Sequence, residues 1–274
     1  MPIARINEVE LNFEIEGEGS ETIVLVNGLA DDLATWGAQV SDFVAAGYRV
    51  VRFDNRSVGT PLRPRRSYTT ALLAKDAKAL IDHLELTDFH MVGVSMGGMI
   101  AQEYALAFQE DLRSLTLCCT YAAPGPFCSR VFRLWQDMAE AMGVPAVMRA
   151  VTLWAFSQDF FQHREALLRE FEAGIASDQP VDAYLTHLNA LQSHDTRSRL
   201  KRVQVPTLVL AGEDDVLIPV NLVRELHALI PGAEFATAKG GHTLLWEHPK
   251  LFNEIVLGFL ARHRPVALRR ATGG

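Results

Sequence analysis

The feature that most restricts the fold is a regular alternation of short apolar runs with segments of helical spacing. Segments such as Thr70 to Leu84 and Leu251 to Leu260 repeat apolar residues along one helical face. Strands that alternate with helices pair mostly in parallel, because each helix returns the chain to the same end of the sheet. The sequence therefore predicts an α/β fold with a doubly wound, mostly parallel sheet. The apolar runs expected to be strands buried on both faces are Thr22 to Val26, Arg49 to Phe53, His90 to Val94, Leu115 to Cys119 and Thr207 to Ala211.

The N-terminal segment alternates with a period of two. Val9, Leu11, Phe13 and Ile15 are apolar, and the residues between them are Glu or Asn. Successive side chains of a strand point to opposite faces, so this pattern indicates one buried and one exposed face. We expect such a strand at the edge of the sheet.

The alternation is interrupted once, over residues 121–203, by helical patterns without a convincing strand. We expect this segment to form a helical cap, and residues 1–120 and 204–274 to form the core. The cap is rich in aromatic residues, and Phe132, Trp135 and Trp154 are the candidates to line an apolar substrate pocket. Packing among the cap helices would explain each of these aromatics equally well.

Composition excludes several classes of function. The 26 Lys and Arg residues face 33 Asp and Glu residues, and a net charge of −7 offers no field that attracts nucleic acid. No apolar run approaches the ~20 residues of a membrane span, and the N-terminus lacks the apolar core of a signal peptide, so we expect a cytoplasmic protein without membrane contact. Cys118, Cys119 and Cys128 lack metal-ligand spacing, and we expect reduced thiols, no metal and no cofactor.

A candidate nucleophile follows the apolar run that ends at Val94. The sequence Gly93-Val94-Ser95-Met96-Gly97 stands between this run and a segment of helical character. A serine at such a sharp turn adopts a strained backbone, and a Cβ atom at either flanking glycine would strike the neighbouring strand or helix. The new helix also directs free N–H groups towards the serine, which favours developing negative charge. Ser95 is therefore the predicted nucleophile.

A serine nucleophile needs a base, and the base needs an acid to orient it. Of nine histidines, His242 is the best candidate because it follows two glycines in a loop just beyond the last strand-like stretch. The acid is expected after the run that ends at Ala211, since parallel sheets place sites at the carboxyl ends of their strands. Asp215 is the first choice, and Asp214 and Glu213 remain alternatives.

An acyl-transfer site also needs hydrogen-bond donors for the oxyanion. The N–H of Met96 is one expected donor, because it begins the helix after the serine. The second is the N–H of Leu29, in the loop after Val26, where Gly28 allows the chain to pass close to the serine.

The order Ser95, Asp215, His242 resembles the α/β-hydrolase superfamily over essentially the whole chain. This resemblance implies the α/β-hydrolase fold with the cap inserted after strand 6. Residues 54–59, Asp-Asn-Arg-Ser-Val-Gly, are similar to the family's D-x-R-G-x-G turn, with Ser57 in place of a glycine. Members with an aspartate nucleophile, the haloalkane dehalogenases and epoxide hydrolases, are disfavoured because the turn carries serine.

Residues 27–36 are similar to the N-S-L-x-x-D-L-x-x-W run of 3-oxoadipate enol-lactonases, with Gly28 replacing the serine. Many simple esterases share parts of this pattern. An enol-lactonase would need cations for a substrate carboxylate, and the cap offers candidates that exposed helix faces would explain as well. These candidates are Arg130, Arg133, Arg149 and Arg164.

The resemblance implies a serine hydrolase that cleaves a carboxylic ester or lactone of a small to medium, partly apolar molecule through an acyl-enzyme. A small-molecule substrate is the expected partner, and a homodimer stays open. Other members suggest alternatives, namely a ligand-sensing receptor, a cofactor-free haloperoxidase or perhydrolase, and a carbon–carbon bond hydrolase. Haloperoxidases share Met96 but usually carry an aromatic residue at the position of Leu29. Carbon–carbon bond hydrolases usually have asparagine at the position of Val94. A catalytically idle binding module is a further alternative.

Overall fold

A computed structural model describes residues 2–59, 67–174 and 179–264. The last part of the expected core, 265–274, lies outside these ranges. Within the described residues eight strands form one sheet. The strands are β1 (Ile3–Ile6), β2 (Val9–Glu16), β3 (Glu21–Val26), β4 (Tyr48–Phe53), β5 (Phe89–Val94), β6 (Leu112–Cys118), β7 (Thr207–Gly212) and β8 (Glu234–Ala238).

The strands are ordered β1-β2-β4-β3-β5-β6-β7-β8 across the sheet. The pairs β1–β2 and β2–β4 are antiparallel, and all other pairs are parallel. The predicted α/β class with a mostly parallel sheet is therefore confirmed. The chain winds outward from β3 in both directions, towards β4 and towards β5. Such a reversal opens a crevice at the carboxyl ends of the central strands, where ligands bind in open α/β sheets.

Helices flank the sheet on both faces, and the described residues between β6 and β7 form helices and loops without a strand. In chain order the helices are α1 (Gly37–Ala45), α2 (Thr70–His83), α3 (Met96–Phe108), α4 (Pro126–Met142), α5 (Val144–Ala155), α6 (Gln158–His163), α7 (Glu165–Gly174), α8 (Val181–Gln192), α9 (Val220–Leu229), α10 (Leu244–Glu247) and α11 (Pro249–Arg262). Helices α4 to α8 occupy the sequence segment expected to form the cap. Among the described residues, no helix combines the length and the apolar character that crossing a membrane requires.

The core consists of two apolar layers, one on each face of the sheet. In β3, Ile23 belongs to a cluster with Phe43 of α1 and Phe252 of α11, whereas the adjacent Val24 belongs to a cluster with Ile100 of α3. Every residue of β3, β5 and β7 is buried. These continuous apolar runs are thus the strands that helices cover on both faces, as parallel sheets require.

The expected position of the N-terminal strand at the sheet edge is wrong. Val9–Glu16 forms β2, but β1 precedes it and pairs with it antiparallel, from Ile6 opposite Val9 to Ile3 opposite Asn12. β1 is short, and Ala4 is its one buried residue. A run of four residues with so few apolar side chains does not by itself predict a strand.

The turn after β4 places Ser57, the residue that replaces a glycine of the similar motif, in an unusual backbone conformation. Ser57 adopts a φ of +62°, a left-handed conformation that favours glycine. Its hydroxyl lies 2.7 Å from the hydroxyl of Tyr68. The adjacent Arg56 forms a buried ion pair with Asp76 of α2, and its guanidinium lies 5.2 Å from the centroid of the Tyr68 ring. These contacts hold the turn against α2.

A buried network of polar side chains connects the loop after α8 to helices α2 and α3. Nδ1 of His194 lies 2.8 Å from the hydroxyl of Thr70, and Nε2 lies 3.4 Å from Oε1 of Gln102. The hydroxyl of Thr196 donates to the same amide oxygen at 2.6 Å. Burial, reinforced by the nearby charge of Arg199, lowers the pKa of His194 to about 3. The folded protein therefore holds this imidazole neutral.

We predict that His194→Asn changes the pH dependence of stability. In the unfolded chain His194 gains a proton near pH 6.5, whereas in the folded chain it stays neutral down to about pH 3. The stability that the neutral imidazole supports is complete above pH 6.5 and is lost as the pH falls below it. The advantage of wild type over the variant should therefore shrink by about 2 kcal/mol between pH 8 and pH 5.

Urea unfolding at the two pH values measures this difference. Gln162→Asn, at an exposed position without a titrating group, is the control, and its effect should be the same at both pH values. A constant difference for His194→Asn would contradict the prediction.

Candidate active site

Ser95 occupies the sharp turn between β5 and α3. Its φ is +55°, and its backbone N–H donates to the carbonyl oxygen of Cys118 at 2.9 Å. A Cβ atom on Gly93 would lie 2.3 Å from the carbonyl oxygen of Gly97, and one on Gly97 would lie 2.0 Å from that of Val26. The two glycines are thus required by close backbone approach, and the turn holds the Ser95 side chain at the carboxyl end of β5.

His242 connects Ser95 to Asp215 in one hydrogen-bonded row. Nε2 of His242 lies 2.9 Å from Oγ of Ser95, and Nδ1 lies 2.8 Å from Oδ2 of Asp215. The other carboxylate oxygen of Asp215 accepts the backbone N–H of Ile218 at 2.8 Å. An ionised carboxylate only accepts, so Nδ1 carries the proton and Nε2 accepts from the serine hydroxyl. The side chain of Asp215 is 1% exposed and that of His242 is 10% exposed, so water has little access to the row.

The two neighbouring carboxylates point elsewhere. Asp214 pairs with Lys239 at 3.1 Å, and Glu213 accepts from the hydroxyl of Thr237 at 2.9 Å. Of the three acidic residues after β7, Asp215 is therefore the one that contacts His242.

The loop after β3 passes close to Ser95. The Cβ position that Gly28 lacks lies 3.7 Å from Cβ of Ser95. Leu29 follows in the same loop and lines a cavity together with Ser95 and His242. Met96 begins α3, and the first N–H groups of a helix have no partner within it. The structure thus brings both expected oxyanion donors to the end of the sheet where Ser95 lies.

The cavity above Ser95 is mostly apolar. Its walls come from the loop after β3, from the end of β5, from the loop after β7, from helices of the expected cap, from the loop that carries His242 and from α10. The lining residues are Leu29, Asp31, Val94, Ser95, Phe132, Trp135, Met148, Val151, Thr152, Ala155, Phe171, Tyr184, Leu191, Leu217, Ile218, His242, Thr243, Leu245 and Trp246.

Two of the three aromatic residues expected to bind substrate line this cavity. Phe132 and Trp135 are lining residues, and their ring centroids lie 5.6 Å apart. Trp154 is not among the lining residues and contacts Trp135 edge to face at 6.0 Å. The expected direct role of Trp154 is therefore corrected to a supporting one. Helical spacing alone does not show that Trp154, on α5, packs against Trp135 of α4 and does not line the cavity.

The cap arginines considered as carboxylate receptors do not reach the cavity. All four are exposed, and none is a lining residue. They are Arg130, Arg133, Arg149 and Arg164. Among the described residues, the cavity wall contains neither Lys nor Arg.

Two residues of the cavity lining carry buried polar atoms. Nε1 of Trp135 and the hydroxyl of Tyr184 are buried, and neither has a hydrogen-bond partner among the described residues. Burial raises the pKa of the Tyr184 hydroxyl, so it stays protonated.

Sequence reasoning missed Asp31, a carboxyl in the cavity wall. Desolvation by the surrounding protein raises its pKa to about 7, while the N–H of Gly28, and His242 when it is protonated, act in the opposite direction. The motif over residues 27–36 specifies the adjacent Asp32 and leaves Asp31 open, yet Asp32 is exposed and accepts the N–H of Ala34 at 2.8 Å.

Glu247 was also missed, and it connects the His242 loop to the chain between α5 and α6. Its Oε1 accepts the N–H of Gly241 at 2.9 Å, the hydroxyl of Thr243 at 3.0 Å and the N–H of Ser157 at 3.1 Å. Its Oε2 accepts the hydroxyl of Ser157. The N–H of Thr243 also donates to the carbonyl of Ala155 at 3.1 Å. The two residues flanking His242 are thus held by one carboxylate.

Cys119 lies behind the row. Its sulfur belongs, with atoms of Asp215 and His242, to a group whose members lie within 4.8 Å of one another. Such a group has the donor types of a metal site, but Asp215 and His242 already bind each other. The contact with Cys118 and burial raise the pKa of the Cys119 thiol well above its usual value, so the thiol is protonated.

Comparison with known proteins agrees with this architecture. A family model described as alpha/beta hydrolase fold matches residues 21–249. The chain belongs to the α/β-hydrolase family. The resemblance inferred from the order of Ser95, Asp215 and His242 is therefore confirmed at the level of the family.

Several relatives cover nearly the whole chain. A protein of Azorhizobium caulinodans named as carbamate hydrolase RutD is 31% identical over 94% of this chain and 98% of its own length. The crystal structure of the enol-lactonase from Burkholderia xenovorans superposes with a TM-score of 0.87 at 28% identity, over 94% of this chain and 99% of that one. The crystal structure of a bromoperoxidase from Bacillus anthracis superposes with a TM-score of 0.84 at 26% identity, over 92% of this chain and 95% of that one. These matches support a hydrolase.

We predict that Glu247→Gln loosens the His242 loop. The amide retains the shape of the carboxylate, but its NH₂ group faces donors instead of accepting from them. The free energy of unfolding should fall by about 1–3 kcal/mol, the typical cost of leaving buried donors without acceptors. Urea unfolding measures this loss.

The matched control is Glu254→Gln, an exposed position on α11. Its effect on stability should stay within about 0.5 kcal/mol, as for most surface substitutions. Equal stability of the two variants would contradict the role assigned to Glu247.

Proposed function

We propose that the protein is a serine hydrolase that cleaves an ester or lactone of a small to medium, largely apolar molecule through an acyl-enzyme. The observation that carries the proposal is the hydrogen-bonded row of Ser95, His242 and Asp215 at the floor of a cavity. A hydroxyl is a weak nucleophile until a base takes its proton, and this row supplies the base and the group that orients it.

The proposed reaction begins when Oγ of Ser95 attacks the substrate carbonyl carbon and Nε2 of His242 takes the serine proton. The carbonyl oxygen becomes an oxyanion, which the N–H groups of Leu29 and Met96 stabilise. His242 then gives the proton to the leaving alkoxide, and the acyl group stays on Ser95. Water attacks this acyl-enzyme with His242 again as the base, which releases the acid and restores the serine. Asp215 keeps the imidazole oriented and stabilises its protonated form.

The walls of the cavity favour uncharged acyl groups. Apolar side chains such as Phe132 and Trp135 remove water from a bound molecule, and an ion without a partner would lose its hydration there. A substrate carboxylate finds no Lys or Arg among the described lining residues and faces Asp31 instead. For this reason we propose neutral esters and lactones in preference to carboxylate-bearing lactones.

Carbamate hydrolysis is a second candidate. A carbamate presents the same carbonyl carbon to Ser95, with nitrogen on one side of it, so the proposed row can attack it in the same way. The relatives named as carbamate hydrolase, at 31% identity, favour this reading. A panel of short esters, lactones and carbamates with matched leaving groups would decide between the two candidates by the ratio of their kcat/KM values.

We predict that Ser95→Ala abolishes hydrolysis of p-nitrophenyl acetate and butyrate. Loss of the nucleophile should lower kcat by at least about 10⁴-fold, because the remaining groups cannot form the acyl-enzyme. Release of p-nitrophenol measures turnover. The same variant should fail to react with a fluorophosphonate probe, while Ser129→Ala, on α4 away from the cavity lining, should retain both reactions. Unchanged turnover in Ser95→Ala would reject the proposal.

The same experiments separate the other classes. Slow labelling that stops after one turnover, with a ligand-dependent change in protease sensitivity of residues 121–203, would favour a receptor. Absence of any reaction with the probe would favour an idle binding module. Peroxide-dependent halogenation without ester hydrolysis would favour a haloperoxidase, although Leu29 stands where haloperoxidases usually have an aromatic residue.

A further inference from the structure

The backbone of the loop after β3 turns Asp31 towards the reaction centre. Ala30 adopts a φ of +62°, a left-handed conformation that reverses the chain direction. Asn27 holds this loop in place, because its side-chain amide donates to the backbone carbonyl of Phe53 at 3.0 Å and to that of Asp31 at 3.4 Å. The carboxyl of Asp31 consequently folds back over Gly28, whereas that of Asp32 caps the short helical turn that follows.

Asp31 lies beside the serine that the proposed reaction uses. The Cβ position that Gly28 lacks is 2.5 Å from Oδ2 of Asp31 and 3.7 Å from Cβ of Ser95. Asp31, Ser95 and His242 all line the same cavity. A carbonyl group attacked by Ser95 would therefore have the Asp31 carboxyl close to one of its substituents.

The carboxyl has little to bind within the protein itself. The N–H of Gly28 is the hydrogen-bond donor that favours its ionised form, and His242 is the one group of the described lining that can carry positive charge. His242 already binds Asp215 and Ser95. A carboxyl that is desolvated without a matched partner costs stability, and such groups are characteristic of functional sites. The raised pKa of Asp31, about 7, has the same cause.

We infer that Asp31 is a specificity-determining residue that accepts a hydrogen bond from an N–H group on the acyl side of the scissile carbonyl. The inference rests on the proposed function and narrows its substrate class. Substrates with nitrogen within one or two bonds of the carbonyl carbon gain this contact, whereas a methylene group in the same place gains nothing. A carboxylate there is repelled.

Two kinds of substrate carry such an N–H. A carbamate has a neutral N–H bonded directly to the carbonyl carbon, and an α-amino ester has an ammonium group one carbon further away. Both are nearly the same shape as a propionyl group. Three p-nitrophenyl esters therefore form a matched set. The ester of N-methylcarbamic acid has nitrogen bonded to the carbonyl carbon, the ester of glycine has nitrogen one carbon further away, and the ester of propionic acid has no nitrogen in its acyl group.

The test measures the second-order rate constant for p-nitrophenol release, which reports acylation, for these three compounds. At pH 8, where most of the Asp31 carboxyl is ionised, we expect Asp31→Asn to lower the rate constant for at least one nitrogen-bearing compound about tenfold relative to propionate, because a hydrogen bond to a charged acceptor is stronger than one to a neutral amide. The compound affected identifies the source of the N–H. Dividing each rate constant by that for propionate removes any general effect of the substitution on the reaction.

Asp32→Asn is the matched control, because Asp32 is the neighbouring carboxyl but is exposed and does not line the cavity. It should leave both ratios within about twofold of wild type, as expected for a surface position. If Asp31→Asn does not fold, wild type alone still tests the inference through two comparisons. The first compares the N-methylcarbamate with p-nitrophenyl N,N-dimethylcarbamate, which lacks the N–H. The second compares the glycine ester with the propionate ester, which lacks the ammonium group. Wild type that prefers neither nitrogen compound over its partner without N–H contradicts the inference.

The outcomes separate the two proposals. If wild type hydrolyses propionate through Ser95 and both ratios are unchanged in Asp31→Asn, the inference about Asp31 is wrong while the proposed serine hydrolase stands. If Ser95→Ala hydrolyses all three compounds as fast as wild type, the proposed function fails and the inference fails with it.

Discussion

The contact between α3 and the end of β3 is the constraint on which the site depends. At Gly97 the helix lies so close to β3 that an added Cβ atom would stand 2.0 Å from the carbonyl oxygen of Val26. This approach brings the first turn of α3, the loop after β3 and Ser95 into one small volume. The helix N-terminus and the loop can direct their N–H groups to a common point only because no side chain separates them.

Two carboxyl groups lie on different sides of the site, and their surroundings differ. Asp215 binds His242 through one oxygen and the N–H of Ile218 through the other, so both oxygens have fixed donors. Asp31 faces the cavity and is half-buried, and the N–H of Gly28 favours its ionised form. Carboxyl groups in unlike environments take unlike roles in many enzymes. Here Asp215 is suited to orient the imidazole of His242, and Asp31 is placed to contact a molecule bound in the cavity.

The sequence predicted the elements better than their contacts. The buried strands and the helices α2 and α11 lie within a few residues of the predicted runs, because burial on two faces and helical spacing are local properties. The position of β2 next to an additional edge strand depended on Ile3–Ile6, a run too short to signal a strand. Trp154 and the cap arginines needed the directions of helices relative to the cavity, which spacing along one helix does not contain.

The unpredicted residues share a different property. Asp31 is distinguished from Asp32 only by the left-handed conformation of Ala30, which is not a glycine and gives no warning in the sequence. Glu247 acts through Ser157, which is 90 positions away along the chain. Such contacts arise when separate elements meet, so a pattern read along one element cannot reveal them.

The carboxylate of Glu247 makes the imidazole loop and the segment around Ser157 one mechanical unit. Ala155 and Thr243 both line the cavity and are hydrogen-bonded to each other within this unit. A substrate that lies against Ala155 therefore contacts a segment that is tied to both neighbours of His242.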